Sequence, residues 1–510
     1  MANPSLQIGN SNWAIKEDNL LGYSTAGTRF VPQPITMTRA SAGTRVNSSG
    51  LVETVELLGS EEITNGDFAS DLTGWTGYGT RSATGGVATI GASANSGIYQ
   101  GVLTQGVRYN VTVNVTSYDG VGTAQFADNN GNNLYTITET GIQTFTFISA
   151  ATSANLILRG LSNALFSVSN VSVKESTKNN LARVDYDGTA SSLLVEPERT
   201  NLLTYSEDFS NAVWSEVSGG SASNPVLTND YAISPDGTQN ATRCLFDMGG
   251  GTTTSDYSRL RYLNLTATTP LISIYIKSNN ATTYQLNLSY GGDALFLVDA
   301  KPNEWTRVDK LTTASGSFDY RLELRGTKTS DDIADVLIWG AQAEEGSYPT
   351  SYIPTDGSTV TRVQDQYSKT GISNLINSEE GVLFVEMAAL DSDGTYRYIK
   401  LSDGTTANTV QIRYSNVSNN IQALVYSSSA LQAFTSYTPT DTTSFHKIAI
   451  KYKENDFALW VDGTEIGTDT SGTTALNLSS LVFTNFFGKV KQLQVFKTAL
   501  TDSELATLTT

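Results

Sequence analysis

The chain has 510 residues, of which 39% are apolar and only 16% are charged, and it carries 43 glycines. One hydrophobic core does not grow to that length, so about three or four compact units are expected. The 50 acidic and 32 basic residues give a net charge of −18, which argues against a nucleic-acid partner and against an anionic membrane surface, since both are bound through Lys and Arg.

The start of the chain predicts a short N-terminal arm over residues 1–29. Its first residues lack the basic and apolar regions of a secretory signal. No segment of the chain approaches the roughly 20 consecutive apolar residues that a membrane-spanning helix needs. The lone cysteine, Cys244, forms no intrachain disulfide and reads as a small core residue. We therefore expect synthesis in a reducing cytoplasm and no membrane insertion.

Alternation of apolar and polar residues is the main structural signal, and it recurs along the chain. In the segment 109–115 every odd position is apolar and every even position is polar. The same pattern occurs at 272–277, 284–289 and 447–452. Strands with one buried and one wet face are typical of antiparallel sandwiches. The sequence therefore predicts an all-β fold of three tandem antiparallel β-sandwich (jelly-roll) domains.

Two segments look like diverged copies of one module. The first begins at 64–68 and reaches Trp75, and the second begins at 205–209 and reaches Trp214. Each copy closes more than a hundred residues later in an apolar strand. A repeat of this size predicts two separate sandwiches. Four tryptophans are predicted to be core residues: Trp214, Trp305, Trp339 and Trp460.

The C-terminal tail is the one segment that looks helical. The residues 501–508 follow a helical pattern, with Thr501 as the cap and Glu504 at the capping-box spacing.

The stretch 59–176 resembles the galactose-binding-like jelly rolls of carbohydrate-binding modules. The matching segments are Asn-Gly-Asp-Phe at 65–68, Leu-Thr-Gly-Trp at 72–75, the strand 109–115 and the closing strand 168–173. In that family an acidic residue that helps to hold a structural calcium often stands where this chain has Ser169. Serine is a poor calcium ligand, so we expect no cofactor here, although the resemblance leaves calcium open.

The stretch from about 197 to 362 resembles a module common in bacteriophage fibre proteins. Several separated motifs appear in order: Glu-Arg-Thr-Asn-Leu-Leu at 198–203, Ser-Glu-Asp-Phe at 206–209, Trp-Gly-Ala-Gln at 339–342 and the closing segment 344–354. The second jelly roll is accordingly predicted over 201–362.

In similar phage proteins, segments like 37–53 run almost straight into one like 183–186. We infer that a connecting module is split here into 30–58 and 177–200, with the first jelly roll (59–176) inserted between the halves. Insertions occur in exposed loops with close ends, so Val52 and Leu181 are predicted to lie near each other.

After a linker at 363–371, residues 372–510 resemble concanavalin-A-like, laminin-G-like lectin domains. The matching segments are 445–450, Leu-Trp-Val-Asp-Gly at 459–463, 488–496 and 499–505. Such domains bind glycans or proteins, and many are structural spacers.

Reactive residues are scarce, so no catalytic residue is predicted. His446 is the only histidine, and its strand parity suggests a packed residue at a sheet rim. Zinc sites need clustered His and Cys, so no metal site is predicted. Asp391 to Gly394 superficially suggests a calcium loop but lacks the downstream glutamate, and 249–251 reads as a flexible loop. Carboxylates are plentiful, yet no pair stands out for glycoside hydrolysis.

Glycan binding needs a flat aromatic face and nearby hydrogen-bonding groups. The candidates in the first sandwich are Trp75, Tyr78 and Tyr99. In the lectin-like domain they are Tyr396, Tyr398, Tyr414 and Tyr426. The alternative for each residue is that it fills a core or covers a sheet face.

Together the resemblances imply a non-enzymatic virion protein of the fibre type, made in the host cytoplasm and displayed on the virion surface. The N-terminal arm would dock on other virion proteins, and the sandwiches would bind host surface polysaccharide. Fibres of this kind are commonly homotrimers. A head fibre, or a capsid or tail decoration protein with a purely structural role, is the main alternative, and a polysaccharide depolymerase is a further one.

Overall fold

The computed structural model describes residues 2–11, 13–16, 19–24, 31–91, 93–150, 152, 154–291, 296–326 and 329–510. Its contacts divide the chain into a unit at 56–178 and a larger unit made of 1–55 and 179–510. The fold is all-β, as predicted. Within the described part of the chain, no helix is long and apolar enough to cross a membrane.

The strands follow in chain order. The first six are β1 (Leu6–Gly9), β2 (Ala14–Lys16), β3 (Asn19–Ser24), β4 (Val31–Thr38), β5 (Thr44–Val46) and β6 (Val52–Thr54). The unit 56–178 contains β7 (Leu57–Glu61), β8 (Thr76–Tyr78), β9 (Arg81–Thr84), β10 (Val87–Ile90), β11 (Asn95–Gly101), β12 (Arg108–Tyr118), β13 (Thr123–Asp128), β14 (Asn133–Ile137), β15 (Gly141–Ile148), β16 (Asn155–Leu161) and β17 (Phe166–Thr177).

The next strands belong to the larger unit. They are β18 (Arg183–Asp187), β19 (Ala190–Val195), β20 (Arg199–Asn201), β21 (Trp214–Gly219), β22 (Ser223–Ala232), β23 (Ala241–Asp247), β24 (Tyr257–Thr268), β25 (Pro270–Ser278), β26 (Tyr284–Tyr290), β27 (Leu297–Ala300), β28 (Thr306–Leu311), β29 (Ser315–Arg325), β30 (Ile333–Glu345) and β31 (Val360–Arg362).

The last elements complete the larger unit. They are β32 (Gln366–Lys369), β33 (Glu380–Ala389), β34 (Arg397–Ser402), β35 (Thr409–Tyr414), β36 (Ile421–Ser427), β37 (Ala430–Tyr437), β38 (His446–Lys453), β39 (Phe457–Val461), β40 (Thr464–Asp469), β41 (Ser480–Thr484), β42 (Gly488–Phe496) and the helix α1 (Asp502–Thr509).

The unit 56–178 is a sandwich of two antiparallel sheets. One has the order β15-β12-β17-β10-β9, with β7 also on β17, and the other has the order β14-β13-β16-β11-β8. The predicted alternation in β12 is confirmed, because Tyr109, Val111, Val113 and Val115 are buried in its core.

A second sandwich lies in the larger unit and has sheets β21-β24-β29-β26-β27 and β22-β23-β30-β25-β28. Cys244 is buried in its core, as predicted. Trp214 and Trp339 are buried, as is Trp460 in the C-terminal sandwich. The prediction that Trp305 is a core residue was wrong. Trp305 is only half-buried and donates from its indole N–H to the Ile233 carbonyl at 3.2 Å, because it lies at the margin of the outer face of the sheet.

The C-terminal sandwich includes strands from the N-terminal part of the chain. Its hydrogen bonding follows the order β40-β39-β38-β33-β42-β1-β3-β4-β32-β41-β34-β35-β36-β37 around one core. The helix α1, with Thr501 and Glu504 forming the predicted capping box, packs on the outer face of β33, β38 and β39. The outer face of β41, β34, β35 and β36 carries no such helix among the described residues.

The predicted N-terminal arm at 1–29 is corrected by this arrangement. Leu6 and Ile8 are buried in the C-terminal core, and β1 pairs with β42 in the register Leu6 to Val495. An apolar edge strand gains more by completing a sheet than by staying in water. Residues 12, 17, 18 and 25–30 lie outside the described part of the chain.

The two halves of the connecting module contact each other. The β5–β6 hairpin lies beside β18, where the Val46 amide donates to Asp185 at 2.8 Å and Arg45 donates to the Val184 carbonyl at 3.2 Å. The exact boundaries proposed for the domains stay predictions.

A buried ion network, here called the junction, ties the connecting module to the end of the second jelly roll and the linker. It consists of Arg39, Arg183, Arg362, Glu196 and Asp365. Arg39 contacts Asp365 at 2.7 Å, Arg362 contacts Glu196 at 3.0 Å, and Arg183 contacts both carboxylates. All five side chains are at most 3% exposed. The sequence indicated nothing of this network.

Candidate functional site

Trp75 lies in the core of the unit 56–178. Its prediction as a glycan-binding residue was therefore wrong. Its indole N–H donates to the Asn65 carbonyl at 3.1 Å, and its ring packs on Phe68. The second copy of the module repeats this geometry, since Trp214 donates to the Tyr205 carbonyl at 2.9 Å and packs on Phe209. The shared motif therefore anchors the chain at the start of each sandwich.

Tyr78 and Tyr99 lie on one outer sheet face of the same unit. Strand register brings Tyr78 opposite Gly97, which in turn pairs with Arg159, while Tyr99 follows two residues later on the same face. Both rings are half-buried. Burial raises the pKa of Tyr78, with Arg159 lowering it in opposition. The predicted pair is thus brought together, next to a guanidinium that the sequence did not single out.

Three of the four predicted tyrosines of the C-terminal sandwich also share one face. Tyr396 stacks on Tyr398 with ring centroids 6.0 Å apart, and the Arg413 guanidinium lies 4.6 Å from the first ring and 5.6 Å from the second. The Tyr396 hydroxyl donates to Asn416 at 2.9 Å. Tyr426 lies on the same face, on β36.

Tyr414 is the exception, and its prediction as a glycan-binding residue was wrong. It shares strand parity with Val410 and Ile412, so it points into the core and stacks on Phe486. Burial raises the pKa of its hydroxyl well above the usual range. A ring that is 4% exposed offers no surface to a ligand.

The shared face forms a cavity of about 410 Å³, here called the groove. Its lining residues come from β34, β35, β36, β41 and the loop after β34: Tyr398, Lys400, Thr406, Thr409, Gln411, Arg413, Tyr426 and Thr484. A neighbouring cavity of about 330 Å³ shares Thr484 and continues along the same face onto β32 and β4. From β4 to β36 the face spans six strands, or about 24 Å at the usual strand spacing.

Strand parity explains why these side chains gather. Ile399 and Leu401 on β34, like Val410 and Ile412 on β35, point into the core. The intervening residues must then point outward. Pairing of Tyr398 with Arg413 and of Lys400 with Gln411 completes the arrangement across the two strands.

The electrostatics of the groove are unusual for this acidic chain. Its described lining residues include the cations Lys400 and Arg413 and no carboxylate. Neither cation forms an ion pair with any described residue. Burial lowers the pKa of Lys400, and Arg413 donates from Nε to the amide oxygen of Gln422 at 2.8 Å.

Both ring nitrogens of His446 have hydrogen-bond partners within the C-terminal sandwich. Its Nδ1 lies 2.6 Å from an Asp462 carboxylate oxygen and its Nε2 lies 2.9 Å from the Asp441 carbonyl. The ring therefore ties the start of β38 to two loops. Cys244 is buried in a different sandwich, so it cannot act with this histidine.

The two loops that superficially suggested ligand sites use their polar groups internally. Asp393 pairs with Arg397 at 2.6 Å and accepts from the Thr395 amide, as a turn would. The amides of Gly249 and Gly250 donate to Asp247 and Asp332. No group of three or more His, Cys, Asp and Glu residues within the described ranges is arranged to hold a metal.

No family model and no curated protein matches this chain. Solved structures match in part. A CBM40 module of Ruminococcus gnavus IT-sialidase bound to α2,3-sialyllactose is 13% identical, with 28% of this chain and 91% of that chain covered and a TM-score of 0.24. The CBM22 tandem domain of Paenibacillus barcinonensis Xyn10C is 12% identical, with 56% and 98% covered and a TM-score of 0.22.

Domains LG4-5 of the mouse laminin α1 chain are 10% identical to this chain. That match covers 55% of this chain and 89% of the laminin chain, with a TM-score of 0.19. All three TM-scores are too low for any of these likenesses to bear on what this chain binds.

Proposed function

We propose that this chain is a non-enzymatic bacteriophage virion protein of the fibre type that attaches to host-cell surface glycans through the groove. The observation that carries the glycan part is the composition of the groove. The rings of Tyr398 and Tyr426 stand beside Gln411, Lys400 and Arg413 on an open sheet face. Aromatic faces accept the apolar side of a sugar ring, and amide and cationic groups bind its hydroxyls.

The virion part rests on the sequence resemblance of residues 197–362 to phage fibre modules. It implies synthesis in the host cytoplasm, display on the virion surface, contact with other virion proteins and assembly as a homotrimer. Many copies on one particle would multiply weak binding at a single groove.

A depolymerase finds no support in the groove. Glycoside hydrolysis generally needs two carboxyl groups flanking the scissile bond, and none is present among the described residues that line the groove.

The proposal is tested by titrating the purified chain against an array of bacterial surface polysaccharides. Saturable binding is expected, and Tyr398→Ala and Tyr426→Ala should each weaken it about tenfold, the equivalent of about 1.4 kcal/mol. Tyr231→Ala is the matched control, because that ring is 43% exposed and lies on the second sandwich.

Two results would contradict the proposal. Binding to no polysaccharide would favour the head-fibre or decoration alternative, with a purely structural role. Antibody labelling that finds the chain absent from purified phage particles in electron micrographs would remove the virion assignment.

A further inference from the structure

The groove concentrates positive charge on a strongly negative protein. The chain has 50 acidic and 32 basic residues, and most of the guanidiniums described in the larger unit contact a carboxylate. Lys400 and Arg413 do not, although both side chains are partly removed from water. A partly buried cation without a counter-ion loses hydration that no ion pair offsets.

Lys400 lies in the middle of β34, between Val482 on β41 and Gln411 on β35. Its neighbours across the sheet are therefore apolar or neutral. Burial lowers the pKa of its ammonium, which is the expected response of a cation that has no anionic neighbour.

Arg413 is oriented by the fold but not neutralised. Its Nε donates to Gln422 at 2.8 Å, and its planar group lies over the rings of Tyr396 and Tyr398. Both terminal Nη groups remain free of hydrogen bonds to the described residues. A guanidinium held in this way presents a fork that matches a carboxylate.

The two cations lie on adjacent strands and face the same side of the sheet. Lys400 pairs directly with Gln411, two residues from Arg413. Such diagonal neighbours on antiparallel strands have Cα atoms about 7–8 Å apart. At that Cα separation, two long side chains can reach one anionic group placed between them.

The described residues that line the rest of the face are uncharged and mostly polar. The neighbouring cavity is lined by side chains such as Thr36, Thr38, Gln366, Ser368 and Asn485. Hydroxyl and amide groups of this kind suit the hydroxyls of neutral sugars. Charge is therefore confined to one end of a face about 24 Å long.

We propose that the groove selects an extended acidic polysaccharide, with the acidic group of one sugar between Lys400 and Arg413 and neutral sugars along β41, β32 and β4. This inference rests on the proposed glycan-binding function and names its ligand class. Nucleic acid fits less well, because a phosphate on every residue demands more cations than one pair.

The test uses matched pairs of polysaccharides on the intact chain. Hyaluronan, alginate, polygalacturonate and polysialic acid are each compared with their carboxyl-reduced forms, and dextran sulfate and poly(dT) report on binding by charge alone. At least one carboxylated polymer should bind, its reduced form should bind at least tenfold more weakly, and added salt should weaken the binding.

Variants assign the effect to the two cations. Lys400→Gln and Arg413→Gln should each lower affinity for the carboxylated polymer at least tenfold, and the residual binding of each variant should respond less to carboxyl reduction than that of the wild type. Arg413→Lys, which keeps the charge, should recover part of the loss. Lys277→Gln, on the second sandwich, is the control, and thermal unfolding of each variant verifies its fold.

The outcomes separate this inference from the function on which it rests. Equal binding to carboxylated and reduced polymers would overturn acidic selectivity and leave glycan binding standing. Binding to dextran sulfate and poly(dT) as tight as to the best carboxylated polymer would show attraction to any polyanion and would also overturn it. Binding to no polysaccharide of either kind would defeat both proposals.

Discussion

The junction and the groove place cations of the same chain in opposite circumstances. At the junction, Arg39, Arg183 and Arg362 are buried against Glu196 and Asp365, and each guanidinium contacts a carboxylate. In the groove, Lys400 and Arg413 are partly exposed, and neither forms an ion pair with a described carboxylate. The fold therefore neutralises the buried cations of the junction and leaves the two cations of the groove without an ion pair among the described residues.

This contrast offers a way to separate structural from functional charge within one chain. Removing one partner of a buried pair leaves an uncompensated charge and costs stability. Removing an unpaired cation from a groove relieves a desolvation cost, so the loss should appear in binding instead.

The largest loss of stability is expected for Arg183→Ala at the junction. The substitution leaves Glu196 and Asp365 buried with fewer counter-charges, so the free energy of unfolding should fall by about 3–5 kcal/mol. Urea titration followed by tryptophan fluorescence measures the change.

Lys453→Ala is the control for that experiment. Lys453 is 51% exposed in its pair with Glu380, and loss of such a surface pair costs less than about 1 kcal/mol. A similarly small loss for Arg183→Ala would contradict the structural role assigned to the junction.

The second-largest effect is expected from acid, which should weaken the junction. Burial alone raises the pKa of the Glu196 carboxyl, but Arg362 and Arg183 more than offset burial and hold that pKa well below its usual range. The folded-state pKa is thus below the unfolded value of about 4.3, and the unfolded chain binds the proton first. The stabilisation is complete above about pH 5 and is lost as pH falls below about 4 toward the folded pKa.

Thermal unfolding of the wild type and Glu196→Gln between pH 7 and pH 3 measures this effect. The gap in unfolding temperature between the two proteins should narrow as the pH falls. Glu380→Gln provides the comparison for a partly exposed carboxylate. A gap that stays constant down to pH 3 would mean that the ionised Glu196 does not stabilise the fold.

The smallest effect on stability is expected for Lys400→Met. It replaces an unpaired, half-buried cation with an apolar side chain of similar length, so the free energy of unfolding should stay unchanged or rise by up to about 1 kcal/mol. The same variant should bind the carboxylated polysaccharide at least tenfold more weakly. A loss of stability comparable to that of Arg183→Ala would mean that Lys400 belongs to the framework.

Much of the local structure was predictable, because strand and helix signals lie within a few residues of each other. The alternation at 109–115 correctly placed Tyr109 in a core, and the spacing of Thr501 and Glu504 correctly indicated a capped helix. The same parity rule would have placed Tyr414 with Val410 and Ile412 in the core. The prediction for Tyr414 was wrong because it rested on residue type and not on strand parity.

The candidate site was predictable only in part. Residue type predicted Tyr398 and Tyr426 as binding residues. It did not predict Lys400 or Arg413. Lys400 shares the parity of Tyr398 on β34, which is a signal present in the sequence. That Arg413 lies opposite Tyr398 depends on the register between β34 and β35, and single-strand patterns do not encode register.

By itself the sequence determined which residues can alternate into strands, where the helix begins and how much negative charge the chain carries, since those properties are local or additive. The tertiary structure alone decided that Leu6 pairs with Val495, that Arg39 contacts Asp365, and that the groove lacks a carboxylate. Such contacts join residues hundreds of positions apart, and many alternative strand pairings satisfy the same alternation. Only the burial of a complete core selects among them.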